Sequence, residues 1–324
     1  MNRRFAYYAW GLLAYNILVV LWGAFVRATG SGAGCGSHWP LCNGEVIPKS
    51  LQVETLIEYS HRLTSGILGI LVLVLVIWAF RAFAKGDDAQ EGGAQGTGIR
   101  RASLWTLFFI ITEAAIGAGL VKMEWVAADT SVERVYTMVF HLLNTFFLLT
   151  ANTLVAWFAS GGKPFSLRGQ AGLGVAFGAA FLGMIALGAT GAIAALGDTL
   201  YLTLGVTPED SPLVKTLVSL RIYHPLLAFV SFALIYVAIR VLAAYHPNSR
   251  ALRYGYWVVG LFIVQLLCGG LNVYLKAPAW MQLIHLFITD IIWILLVVTA
   301  ASALAIPQTR RESHYQSYRQ TTTA

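Results

Sequence analysis

Eight apolar stretches, each long enough to cross a lipid bilayer, fill most of the chain and limit what it can become. A membrane-spanning helix needs about 20 mostly apolar residues. Windows of that kind, free of charge runs, lie at Tyr7–Val26, Ile57–Phe83, Ala102–Val121, Val135–Phe158, Ala171–Leu196, Leu220–Leu242, Tyr254–Leu275 and Gln282–Ile306. Only 11% of the 324 residues are charged, about half the share of a soluble domain. The connections are short, so the expectation is one integral membrane unit with no soluble domain. Arg3 and Arg4 precede the first window as they would in a signal peptide, but that window ends Phe25-Val26-Arg27-Ala28-Thr29 without a small-x-small cleavage site. It is therefore read as a retained first span.

Basic residues set the expected orientation. With eight spans both termini share a side, and fourteen of the 22 Lys and Arg lie there, against four of the 15 acids. The termini are expected on the cytoplasmic side of the plasma membrane, with the loops of Cys35, Asp129 and Asp210 facing outward. A basic cytoplasmic face suits anionic lipid, and the net charge of +7 needs no nucleic acid to explain it.

The chain repeats its plan. Phe140-His141-Leu142-Leu143-Asn144-Thr145 opens the fourth span and Ile284-His285-Leu286-Phe287-Ile288-Thr289 the eighth. Ala28-Thr29-Gly30 matches Ala189-Thr190-Gly191, and Gly117-Ala118-Gly119-Leu120-Val121-Lys122 matches Gly269-Gly270-Leu271-Asn272-Val273. Four spans return the chain to its starting side, so the repeats share one orientation and an axis along the membrane normal. The predicted fold is all-α, a polytopic membrane protein of eight transmembrane helices in two pseudo-two-fold-related four-helix bundles, residues 1–160 and 161–324. Gly117, Gly119, Gly188, Gly191, Gly269 and Gly270 allow close helix packing or leave room for a flat ligand. Gly86–Gly98 and Arg310–Ala324 read as a polar linker and a polar tail.

Seven histidines are present. His38, His246 and His314 fall in loops or the tail. His61, His141, His224 and His285 each sit about one turn inside the outer end of an even-numbered span, and none falls in an odd one. Any one of them could be a helix–helix hydrogen bond. Four at one level suggest ligation, because ionisable groups within a membrane are costly and usually functional. A closed zinc site wants four ligands on one metal. The repeat instead divides these into His61 with His141 and His224 with His285, the arrangement for two axial bonds to haem iron. Arg62, Arg134 and Arg221 near the outer edge are placed either to hold propionates or to snorkel to the interface.

The halves differ. Glu58 stands three residues before His61, on the same helical face, whereas Arg221 occupies that place before His224. A carboxylate beside a haem can move protons or stabilise developing positive charge; its plainer role is a partner or interfacial anchor. Glu113 and Asp290 also lie within spans, without a partner that the sequence identifies. The first outer loop, Gly30 to Gly44, carries Cys35 and Cys42 separated by six residues. They fit a structural disulfide, a redox-active pair, or, with His38, a metal site. Cys268 reads as a packing thiol.

Glu58-x-x-His61, His141 with Leu142-Leu143-Asn144, His224, His285 and the Cys35/Cys42 pair in a Gly-rich first loop together resemble the haem A synthase family, over essentially all eight spans. The resemblance implies that His61 and His141 face the substrate haem O, that His224 and His285 ligate a haem b cofactor, and that Glu58 is the family's essential acid. It also implies that Cys35 and Cys42 form the first-loop disulfide. Many bacterial members carry a second cysteine pair in the third outer loop, here about Gly197–Thr216, and this chain has none, so a single-pair subtype is implied. The implied reaction oxidises the C8 methyl of haem O to a formyl group, giving haem A for terminal oxidases, with water as oxygen source. Implied partners are haem O synthase, oxidase assembly factors and a second copy of the chain. One rival is a bis-histidine dihaem cytochrome taking electrons from quinol. Another is a transporter, which would need paired mid-membrane helix breaks.

Overall fold

The structure of the chain, a computed structural model, describes residues 2–83, 91–167 and 169–305. Among the described residues nine α-helices follow in order: α1 (Arg3–Ala28), α2 (Val53–Ala82), α3 (Glu91–Lys122), α4 (Val132–Ala159), α5 (Ala171–Asp198), α6 (Pro212–Leu220), α7 (Tyr223–Tyr245), α8 (Arg250–Tyr274) and α9 (Ala279–Leu304). No strand occurs among the described residues. Eight of these units are long and apolar enough to cross a membrane, α6 and α7 counting together as the sixth.

Local chemistry fixes the helix starts. Asn2, Ser131, Ser211 and Ser249 each accept a hydrogen bond from a backbone N–H three residues on, satisfying a donor that the first turn leaves orphaned. The break between α6 and α7 follows from Pro225. Proline has no N–H to give the carbonyl four residues back, and that carbonyl belongs to Arg221. It accepts from the His224 N–H instead. The break lies near the start of the sixth span and has no counterpart in α2, so among the described residues these two spans do not form the paired breaks expected of a transporter.

Helix neighbours follow the expected duplication. The first four helices close a ring, α1 on α2, α2 on α3, α3 on α4 and α4 on α1; α5, α7, α8 and α9 close a second. Between the rings α1 packs on α9, α5 on α4, and α4 on α9. A two-fold that carries α1 to α5 and α4 to α9 exchanges the first two contacts and maps the third onto itself.

Lipid tails are as apolar as leucine, so close packing and buried hydrogen bonds hold such helices together. Trp293 of α9 stacks on Phe146 of α4 with centroids 4.5 Å apart and donates its Nε1–H to the Phe146 carbonyl at 2.8 Å. Gly188 of α5 admits the same ring, since a Cβ there would stand 2.6 Å from Phe146 Cε2. A second interior cluster, including Phe5, Leu68, Leu75 and Leu148, fills the first ring.

The linker expected at Gly86–Gly98 is corrected in its second part. Helix α3 begins at Glu91, and the Gln95 amide donates to the Phe158 carbonyl at the end of α4. That tertiary contact outweighs the poor helix propensity of the glycines. Residues 84–90 and the expected tail at Arg310–Ala324 lie outside the described residues.

Candidate functional site

His61, His141, His224 and His285 sit on α2, α4, α7 and α9, all running inward from the side of the cysteine loop. His61 and His141 lie about two turns inside their helices, deeper than the one turn expected. The helices begin at Val53 and Val132, before the apolar windows do.

The structure brings His224 and His285 together, ring centroids 6.3 Å apart and planes at 68°. Imidazole nitrogens bind such metals at about 2 Å, so two rings on opposite faces of one iron have centroids about 6 Å apart. This pair has the spacing for a shared haem. His61 and His141 stand on α2 and α4, across the first ring from one another, as α7 and α9 stand in the second. Glycines on neighbouring helices receive the ring edges: a Cβ would stand 2.9 Å from His61 Cε1 at Gly23, 3.0 Å from His224 Cε1 at Gly191 and 3.1 Å from His285 Cε1 at Gly269. Gly23 escaped the sequence reading, because the likeness of Ala28-Thr29-Gly30 to Ala189-Thr190-Gly191 set Gly30 against Gly191. Ring contact gives Gly23 the role of Gly191, a register seven residues earlier.

The second ring nitrogens are treated differently. His224 Nδ1 is 3.4 Å from Thr190 Oγ1, and the ring also bonds the Leu187 carbonyl. His141 Nδ1 lies 3.3 Å from Glu113 Oε1, an ion-pair distance without the alignment of a full hydrogen bond. The Nδ1 atoms of His61 and His285 are buried with no hydrogen-bond partner among the described residues. One pair at ligating distance, a second pair of histidines on the equivalent helices and glycines against three of the four rings fit haem.

Glu58 is buried, with 3% of its surface exposed. One oxygen pairs with Arg62, four residues on, and the other accepts the Cys35 N–H at 2.8 Å. Arg62 then donates to the His38 and Leu41 carbonyls at 2.6 Å each. Cys35 and Cys42 form a disulfide and both are buried, which removes the thiolates that a metal site with His38 would need. Thr55 Oγ1 donates to the Gly34 carbonyl, so the loop is seated on the first turns of α2. Arg62 is thereby engaged by Glu58 and the loop.

Other arginines line the level where the rings meet. Arg27, unremarked in the sequence, donates to the Ala195 carbonyl, Thr199 Oγ1 and Gln282 Oε1 at 2.6 to 2.9 Å, linking α1, α5 and α9. Arg221 pairs with Asp198 at 2.5 Å. Arg134 is buried, with Nη1 on the Ala127 and Asp129 carbonyls and Nε unpartnered among the described residues. Asp290 is fully buried, and neither oxygen has a partner among the described residues. Cys268 is half-buried and packs against the Met281 sulfur at 3.6 Å.

The sequence profile of the COX15-CtaA family, described as cytochrome oxidase assembly protein, matches residues 6–297. A protein of Thermus thermophilus named Protoheme IX farnesyltransferase is 48% identical over 307 residues, 93% of this chain and 48% of that protein. Proteins named Heme A synthase are 39% identical over 121 residues in Alkalihalophilus pseudofirmus, 37% of each chain, and 42% over 105 residues in Halalkalibacterium halodurans, 32% of each. The chain thus spans about half the length of the Thermus relative and about a third of the others.

Proposed function

Because the chain belongs to the COX15-CtaA family of cytochrome oxidase assembly proteins, we propose that it is a haem A synthase of the cell membrane, with a substrate site in residues 1–160 and a haem b site in 161–324. The observation that carries this is His224 and His285 spaced for one shared iron, with glycines against the rings of His61, His224 and His285.

In this reading His61 and His141 hold haem O, and His224 and His285 hold haem b. Haem b held by His224 and His285 would supply a one-electron relay, passing the four electrons of the reaction singly to an external oxidant. Oxidation of the C8 methyl takes oxygen from water twice, each addition releasing two electrons and two protons; the hydrate then loses water to leave the formyl group. Glu58 handles protons at the methyl edge. Its partners, Arg62 and the Cys35 amide, make the disulfide loop the element that sets where the carboxyl sits. The Lys and Arg bias supports a reading with both termini in the cytoplasm and the histidine pairs toward the outer face.

The Thermus name suggests a second reading, prenyl transfer. Prenyl diphosphates bind through Mg²⁺ held by carboxylates, whereas Glu58, Glu113 and Asp290 each stand singly on separate helices. Since the chain covers 48% of that protein, we assign farnesyl transfer to its remaining length and propose that a haem O synthase supplies this chain's substrate. Oxidase assembly factors and a second copy of the chain are further proposed partners.

Co-expression with a haem O source, followed by chromatography of extracted pigment, tests the proposal. Wild type should yield haem A and retain haem b. His224→Ala and His285→Ala should lose haem b, and His61→Ala and His141→Ala should lose haem O conversion. Haem b alone, with no haem A, would turn the reading toward an electron-carrying cytochrome; farnesylation of haem b would favour the Thermus name.

A further inference from the structure

Glu113 lies on α3, away from Glu58 and the disulfide loop, and takes no part in the reaction described above. Its carboxyl gathers donors. Thr145 Oγ1 donates to Oε1 at 2.6 Å, Asn144 Nδ2 donates to Oε2, and Thr112 Oγ1 donates to Asn144 Oδ1 at 2.7 Å. The same Oε1 lies 3.3 Å from His141 Nδ1. A carboxylate accepts only, and every neighbour placed here is a donor or carries one. Iron bound at Nε2 would leave the His141 proton on Nδ1, the nitrogen nearest Glu113, where a small ring rotation would align it.

The second half holds a native comparison. Glu113 and Gln265 each stand four residues before a glycine, Gly117 and Gly269, on the third span of their half. Each bonds the threonine four residues after the histidine, Thr145 and Thr289. Gln265 is a donor there, giving Nε2–H to Thr289 Oγ1 at 2.6 Å and to the His285 carbonyl at 2.9 Å, while His285 Nδ1 has no partner among the described residues. The rings settle accordingly. His285 rests against Gly269, whereas a Cβ at Gly117 would meet nothing within 4 Å.

We propose that Glu113 is a positioning residue that orients His141 and makes it the more electron-donating axial ligand, so that the two haem irons differ in potential. This rests on the haem-ligation reading given above. A carboxylate on the far nitrogen fixes the tautomer and raises ligand basicity, which favours the ferric state. The iron of the first site is held at the lower potential. One electron then moves favourably from that iron, which is oxidised, to the second, which is reduced, the direction that oxidation of a substrate in the first half needs.

Redox titration of the purified full chain with both haems bound tests this, the first-half couple being the one lost in His61→Ala. Glu113→Gln copies the side chain native to the second half. It should retain both haems and raise the ferrous-to-ferric ratio of the first couple at fixed potential at least tenfold, about 59 mV for one electron, leaving the second unmoved. Gln265→Glu should lower the second couple instead, and Thr145→Val, which keeps the acid but removes its hydroxyl partner, should move the first by less. Were Glu113→Gln to misfold, Gln265→Glu decides alone. Unmoved couples in variants that keep both haems overturn the inference. If His141→Ala leaves haem content and spectra unchanged, the ligation reading itself fails, a separate outcome.

Discussion

The two rings of helices each carry two imidazoles, in different electrical settings. In the first, Glu58 with Arg62 lies one turn from His61, and Glu113 lies beside His141. In the second, Arg221 with Asp198 lies before His224, Thr190 and the Leu187 carbonyl bond that ring, and Gln265 replaces the second acid. The disulfide loop is hydrogen-bonded to Glu58 and Thr55 of the first. What the halves share is geometry: histidines on helices of one direction, with a glycine against His61 in the first and against both rings in the second. What separates them is charge and the ability to accept a proton. A duplicated scaffold with one polarised copy suits one site that reacts and one that stores electrons.

The largest break in that comparison should come at Glu58. Glu58→Gln keeps the shape but removes the charge and the general acid, so haem A yield should fall about a hundredfold or more, with haem b retained. Arg221→Gln, at the matching position of the second half, should lower yield by less than about tenfold, the loss tracking stability. Equal losses in the two variants would erase the assigned difference. Next comes the disulfide. Closing so short a loop restrains the unfolded chain by about 2 to 3 kcal/mol. Cys35→Ser with Cys42→Ser should therefore lower the thermal midpoint and release first-half pigment before the haem b band is lost. Simultaneous release from both halves would mean that the loop does not act locally.

The spans were legible because hydrocarbon thickness imposes a length that no soluble fold imitates, and all eight stand where apolar windows place them. The helix ends were not. They depend on single capping oxygens and on Pro225, so α2 and α4 start early and the sixth span divides. The four histidines were legible as a set, since alternate spans give a common level. Their partners were not: Glu113 meets His141 across two helices, and no spacing on α3 announces it. Arg62 could have been assigned, because four residues from Glu58 is the spacing of a helical ion pair. Gly23 was missed for a different reason. A short Ala-Thr-Gly likeness outweighed the weaker glycine match that ring contact supports.

The glycine cradles offer a smaller test with an internal control. Alanine at Gly23, Gly191 or Gly269 puts a methyl within about 3 Å of an imidazole carbon, where overpacking costs about 1 to 3 kcal/mol. Each should lower haem retention on heating, Gly23→Ala in the first half and the other two in the second. Gly117→Ala has open space and should stay within about 0.5 kcal/mol of wild type. If all four behave alike, the substitutions act through helix propensity and the cradles do not orient the rings.

The smallest expected difference lies at the far end of the helices from the histidine pairs. His246 closes α7, with Nε2 3.1 Å from Gln170 Oε1 at the start of α5, and burial holds its pKa below the usual histidine value. The unfolded chain takes up a proton near pH 6.5, above the point at which the folded ring does. Between the two values the unfolded state binds more protons, so stability rises with pH across that window. It is fully present above about pH 6.5 and is lost as pH falls through the folded value. The ring is partly exposed, and solvent screening keeps the effect below about 1 kcal/mol. The first half has no histidine at that end, so mild acid should loosen the α5–α7 contact before anything in α1–α4. Hydrogen exchange at pH 5 and pH 8 reads this directly: wild type should open faster around α7 at pH 5, and His246→Gln should abolish the difference. An unchanged acid response in the variant would assign that sensitivity to another group.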